Sequence, residues 1–160
     1  KPPLSKICEE TEKIKRTEQY AAALTVLSYG MIACVFYLFF GGRSVAEFAV
    51  SAVCGIITGL LVGFIDKIGA NKFLSKFICS FATCIISFTL CKLKLINSVD
   101  YIIIGNIMTL IPGIGLTNAI RDLFTGDSIS GVLRLIEAAL LALAIAAGYV
   151  VTTMLFGGAL

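Results

Sequence analysis

The chain has 160 residues, 58% hydrophobic and only 14% charged, with a formal net charge of +3 and a mean hydropathy of +0.97. A soluble domain carries about a quarter charged residues, so an ordinary globular protein is excluded. The net charge is small, and the lysines and arginines fall in linkers rather than on a basic face with interleaved aromatics, which does not suggest a nucleic-acid binder. Histidine is absent and the six cysteines form no C-x-x-C pair. That removes the usual zinc sites and the Ser-His and Cys-His nucleophiles, and no cofactor or metal is called for. Four of the six cysteines sit inside apolar runs and are expected to pack as small hydrophobes rather than to form a disulfide framework.

Residues 1–19 are polar, with Lys1, Lys6, Lys13, Lys15 and Arg16 set against Glu9, Glu10, Glu12 and Glu18. Leu4, Ile7 and Ile14 form a weak apolar stripe, so the segment reads as a short amphipathic helix leading into the membrane from the cytoplasmic side, with a plain solvated lead-in as the alternative. The chain opens on Lys1-Pro2-Pro3 rather than on an initiator methionine or a signal pattern, so this lead-in is expected to be the remnant of a longer N-terminal region. Residues 20–160 form the membrane domain.

Five apolar segments follow, each near the length that crosses a hydrocarbon core of about 30 Å. The first is Tyr20–Phe40, the second roughly Ala46–Ile65 and the third roughly Phe73–Cys91. The fourth begins near Tyr101 and runs into Pro112-Gly113, and the fifth runs from about Gly131 to Phe156. With the N-terminus inside, Lys1, Lys6, Lys13, Lys15, Arg16, Lys67, Lys72, Lys76, Arg121 and Arg134 lie on the inner side. Only Arg43, Lys92 and Lys94 lie outside. The excess favours an N-terminus in the cytoplasm. The fold expected is therefore an all-α integral membrane domain of five transmembrane helices.

Ser51, Gly55, Gly59 and Gly63 recur at helical spacing on the second segment and present a smooth ridge to another backbone. Ala138, Ala142 and Ala146 form a similar ridge on the fifth. The two are expected to face each other or a partner chain. Glu47, at the outer end of the second segment, reads as interfacial.

The fourth segment is the unusual one. Tyr101 to Pro112 spans about 17 Å at helical rise, so the break falls near the bilayer midplane. Pro112 removes a backbone donor, and Gly113 and Gly115 loosen the chain further. Asn106 and Thr109 share a helical face with Gly113. After the break, Thr117-Asn118 is expected to cap a half-helix running to Phe124, whose N-terminus suits a carboxylate. Discontinuous helices at mid-membrane recur in secondary transporters; a bare proline kink is the alternative. Arg121 and Asp122 close the half-helix, and Asp127 and Ser128 cap the next helix. Arg134 and Glu137 share a face and form either an ion pair or, with Glu137 drawn inward, a proton-carrying site.

Residues 111–148, IPGIGLTNAIRDLFTGDSISGVLRLIEAALLALAIAAG, resemble the threonine/serine exporter family, in particular its YjjP-like component. The resemblance is carried by Pro112-Gly113, Thr117-Asn118, Arg121-Asp122, Gly126-Asp127, Ser130-Gly131, Arg134, Glu137-Ala138 and Gly148, with the Gly41-Gly42 turn also similar. It is dense over 105–148 and looser from Tyr20 onwards. It implies a multi-pass protein of the bacterial inner membrane that exports threonine and serine or succinate-like dicarboxylates. It also implies two five-helix halves, so a YjjB-like membrane subunit or a second copy is the expected partner. Five crossings leave the C-terminus outside, which fits an inverted second half.

The combined reading is a subunit of a secondary exporter working by alternating access around the broken segment. Substrate carboxylate is expected at Pro112, Gly113 and Gly115, with Asn106, Thr109 and Asn118 offering hydrogen bonds and Arg121 attracting anions from the cytoplasm. Asp122 and Glu137, with Arg134 beside them, are the candidates for proton coupling. The rival reading is a structural or regulatory subunit whose partner carries transport. An intramembrane aspartyl protease is disfavoured, because Asp100-Tyr101 stands in reversed order and Gly113-Ile114-Gly115 is followed by Leu116. The chain is not expected to be an enzyme.

Overall fold

The computed structural model describes residues 22–96 and 98–156, and among them it contains six helices and no strand. The amphipathic lead-in expected over 1–19 lies outside the described residues. The helices are α1 (Ala22–Phe39), α2 (Val45–Ile68), α3 (Lys72–Lys92), α4 (Val99–Leu110), α5 (Gly113–Phe124) and α6 (Ser128–Phe156). By length and composition α2, α3 and α6 can each cross a membrane. The α4–α5 pair passes together as one span bent by 54°, and α1 is a shorter apolar helix. The molecule is thus a multi-pass membrane protein by the character of its helices.

The boundaries have local causes. Ser44 caps α2 by accepting a hydrogen bond from the Glu47 N–H, and Gly69 closes it in the left-handed conformation at φ 70°, which glycine adopts without a Cβ penalty. Asn71 caps α3 by accepting from the Phe73 N–H at 2.9 Å. Asp127 starts α6: its carbonyl accepts from Gly131 N–H at 3.0 Å and its carboxylate from Ser130 N–H at 3.4 Å.

α1 packs on α2 and α4, and α2 and α4 in turn on α3; α6 packs on α3 and on α5. The break after Leu110 therefore sends the two halves of one segment to different neighbours. α4 joins the α1–α3 cluster, and α5 folds onto α6.

The glycine ridge of α2 faces α1, not the alanines of α6. A Cβ at Gly55 would stand 2.7 Å from the Ala33 Cβ and 2.8 Å from the Tyr29 carbonyl, while Gly63 has open space around it. The ridge lands there because α1 is joined to α2 by a turn of a few residues, and consecutive helices pack as neighbours. The close approach of α6 is made elsewhere, at Gly148, where a Cβ would sit 2.8 Å from the Phe77 carbonyl of α3. Of the alanine ridge only Ala138 is buried; Ala142 and Ala146 are exposed.

The core between helices is rich in small polar groups that keep their hydrogen bonds inside the protein, as a lipid-embedded bundle requires. The buried hydroxyls of Thr58 and Thr83 meet at 2.7 Å between α2 and α3. The Ser80 hydroxyl of α3 donates to the Ile145 carbonyl of α6 at 2.8 Å. Cys54, Cys79 and Cys84 are buried among the apolar side chains, where a thiol packs as a small hydrophobe.

Candidate functional site

The break begins at Ile111, which is extended (φ −65°, ψ 133°), as a residue before proline prefers. Pro112 has no N–H to continue the ladder. α5 therefore starts at Gly113, four residues before the Thr117-Asn118 cap expected from sequence, and Pro112 makes no side-chain cap. Its first regular bond runs from Leu116 N–H to the Pro112 carbonyl at 3.0 Å. The N–H groups of Ile114 and Gly115 come before that bond, at a helix end that leaves such donors without intrahelical partners. No neighbouring atom would crowd a Cβ at Gly113, so this end is open. The other end of α5 is tightly held: Ala119 is buried, and a Cβ at Gly131 of α6 would be 2.9 Å from the Leu123 nitrogen.

Between the open end of α5, the N-terminal part of α6 and the start of α3 lies a cleft of about 310 Å³, within the range of small-molecule sites. Pro112, Gly115 and Asn118 line it from the broken segment, Arg134, Glu137 and Ala138 from α6, and Lys72 from α3. Of the residues singled out from the sequence, Pro112, Gly115, Asn118, Arg134 and Glu137 line this cleft; Lys72, which looks like an ordinary linker charge, is not among them. The available signal was its position: it is the first residue of α3, where the helix dipole disfavours a cation.

The charges pair differently from the helical spacing. Arg134 Nη1 lies 3.3 Å from Asp122 Oδ2, and Lys72 Nζ lies 3.5 Å from Glu137 Oε1. Both partners of the expected Arg134–Glu137 pair are thus taken by other helices, because folding α5 onto α6 delivers Asp122 and the α3 N-terminus delivers Lys72. Glu137 is also not drawn inward: its side chain is 59% exposed. Its turn of α6 looks into the cleft rather than into the core.

The remaining candidates are dispersed. Asn106 is fully buried between α4 and α2, where its Nδ2 donates to the Ile102 carbonyl at 2.9 Å and to Ser51 Oγ of α2 at 3.4 Å. Its Oδ1 meets no donor among the described residues. Thr109 is half-buried and donates to the Asn106 carbonyl at 2.6 Å. The face that Asn106 and Thr109 were expected to share with Gly113 does not exist, since helical phase is lost at Ile111-Pro112. Arg121 is exposed on α5.

At the opposite end of the bundle stands a polar group that sequence reading took for interfacial. Glu47 is only 4% exposed. Its carboxylate accepts from the Tyr37 hydroxyl at 2.9 Å and from the Ser98 N–H at 3.1 Å. The Tyr37 oxygen accepts in turn from Ser44 N–H at 3.1 Å. Gly42 lies flat against the Tyr37 ring, where a Cβ would overlap it. One carboxylate therefore ties α1, α2 and the entry to α4 together.

A family model described as "Putative threonine/serine exporter" (ThrE) matches residues 1–156, nearly the whole chain. No curated protein and no solved structure matches.

Proposed function

The chain belongs to the threonine/serine exporter family, ThrE, a family of transporters rather than enzymes, and from that premise we propose that it is a membrane subunit of a proton-coupled secondary exporter of small carboxylate-bearing metabolites in the bacterial inner membrane. It crosses the membrane five times, by α1, α2, α3, the α4–α5 pair and α6, with the N-terminus in the cytoplasm. The observation that carries the reading is the cleft at the break, where the open end of α5 meets side chains of both signs. A helix N-terminus attracts a carboxylate, and the neighbouring Glu137 and Asp122 suit an ammonium. The lining holds Lys72, Arg134 and Glu137, and Asp122, paired with Arg134 from outside it, brings these four charges to zero, which fits a zwitterion such as threonine or serine better than succinate.

Alternating access would use the asymmetry of α5. Its C-terminal half is packed on α6 while its N-terminal end is open, so α5 would move together with α6 about the Ile111-Pro112 joint. Glu137 and Asp122 are the groups proposed to bind and release the coupling proton, while Arg121 draws anions from the cytoplasm. Asn106 and Thr109 would act by holding α4 rather than by touching substrate. A single five-helix chain is too small to enclose a full pathway, so a YjjB-like subunit or a second copy completes it.

The test is efflux of labelled threonine, serine or succinate from proteoliposomes, with and without a pH gradient, for the chain alone and with a YjjB-like chain. Gradient-dependent efflux of one substrate is expected with the partner present. Efflux that appears only with the partner and is unaffected by Glu137→Gln and Pro112→Ala would instead favour the structural-subunit reading.

A further inference from the structure

We propose that Lys72 is the carboxylate-binding residue of the cleft, and that the Lys72–Glu137 ion pair is a door that substrate opens by exchanging partners with it. The proposal rests on the exporter reading of this cleft and adds a residue and a gating device to it.

The pair stands between two cavities. On one side is the cleft at Pro112 and Gly115; on the other is a second cavity of about 480 Å³ lined by Asn71, Phe73 and Leu140. Lys72, Glu137 and Leu141 line both, so this ion pair and one leucine form the wall between them. It joins residues 65 apart in sequence and connects the start of α3 to α6.

The two ion pairs of the region are not equivalent. Arg134 and Asp122 lie closer, at 3.3 Å, with the Asp122 side chain only 26% exposed, and they fasten α5 to α6. Lys72 and Glu137 are 3.5 Å apart, with side chains 80% and 59% exposed. A pair so open to solvent gains little from its contact, and it is the one that a competing ligand can open. Stability does not account for Lys72 either, since a cation at the first residue of a helix opposes the dipole and the first turn of α3 holds no acidic residue to offset it. In the cleft its charge adds to the N-terminal end of α5, so the positive sources converge on one place.

The exchange conserves charge. A substrate carboxylate takes the Lys72 ammonium, the substrate ammonium takes the Glu137 carboxylate, and the two side chains no longer hold each other. A ligand with only one of these groups opens the pair but leaves its other member without a partner. The cleft then discriminates for the zwitterion by requiring both halves of the exchange.

The experiment measures equilibrium binding to the protein extracted with its lipids and any companion chain into native nanodiscs. The probes are threonine, threoninol (no carboxylate) and 3-hydroxybutyrate (no ammonium). Charge-assisted hydrogen bonds of this kind correspond to about a 10- to 100-fold change in affinity. Lys72→Gln is expected to weaken threonine and 3-hydroxybutyrate by that factor and to leave threoninol unchanged or tighter. Glu137→Gln is expected to weaken threonine and threoninol and to spare 3-hydroxybutyrate. Lys72→Arg should retain most of the threonine affinity. Lys72 is highly exposed, so its variants are expected to fold, and matched thermal melting in the nanodiscs checks this. If wild type binds threonine and Lys72→Gln binds it equally well, the door and the anchor are wrong while the exporter reading stands. An equal loss of all three probes in Lys72→Gln also overturns the proposal, because it assigns Lys72 a structural role. If wild type binds none of threonine, serine or succinate, the exporter reading of the cleft fails and the proposal fails with it.

Discussion

The two ends of this bundle hold their charges in opposite ways. At one end Glu47 is buried, with each carboxylate oxygen bonded, one by a tyrosine hydroxyl and one by a backbone N–H. At the other end Lys72, Glu137 and Arg134 are exposed around a cleft and held by single ion pairs. A buried, satisfied group rigidifies what it joins, since leaving any member unpaired costs its full desolvation. An exposed pair can be opened at little cost. The contrast separates a clasp that joins α1, α2 and α4 from a cleft whose ion pairs stand open to solvent.

The sharpest way to break this comparison is to remove one carboxylate from each end. Glu47→Ala should destabilise the protein by about 3 kcal/mol, because the Ser98 N–H loses its carboxylate acceptor and the Tyr37 hydroxyl keeps just the long 3.4 Å contact with the Ser44 carbonyl. Glu137→Ala should cost about 0–1 kcal/mol while abolishing export. Thermal unfolding in detergent beside proteoliposome efflux reads both. Equal destabilisation by the two would erase the distinction.

Next in size, Gly55→Val should cost about 1–3 kcal/mol by overpacking the α1–α2 contact, and Gly63→Val should be neutral in the same melting assay. Pro112→Ala should leave melting nearly unchanged and slow efflux by about tenfold, equivalent to about 1.4 kcal/mol in the transport barrier, by letting α4 run on into α5. The smallest effect is expected from Thr58→Val, which removes the contact with Thr83 at similar shape. It should cost about 0.5–1 kcal/mol and spare transport, since that contact belongs to the clasped part of the bundle.

Much of the cleft lining is legible in the sequence. Pro112, Gly115, Asn118, Arg134 and Glu137 announce themselves as breakers and ionisable groups inside apolar runs, where such residues are costly. Lys72 is not legible, because it lies at a helix end next to a turn, where lysine is ordinary. Nor is the burial of Glu47. A carboxylate in the first turn of a helix suits the dipole, and nothing local reveals that Tyr37 and Ser98 will close over it.

Local chemistry alone determined the helices, their caps at Ser44, Asn71 and Asp127, and the break at Pro112, since each follows from backbone donors, acceptors and apolar run length within a few residues. Only the tertiary structure decided which helix each half of the broken segment joins. With that came the partners of Arg134 and Glu137, the side of α4 on which Asn106 is buried, and the helix that receives the glycine ridge. Helical spacing sets which residues share a face. It carries no information about what that face meets, nor about phase across a residue that cannot continue the helix.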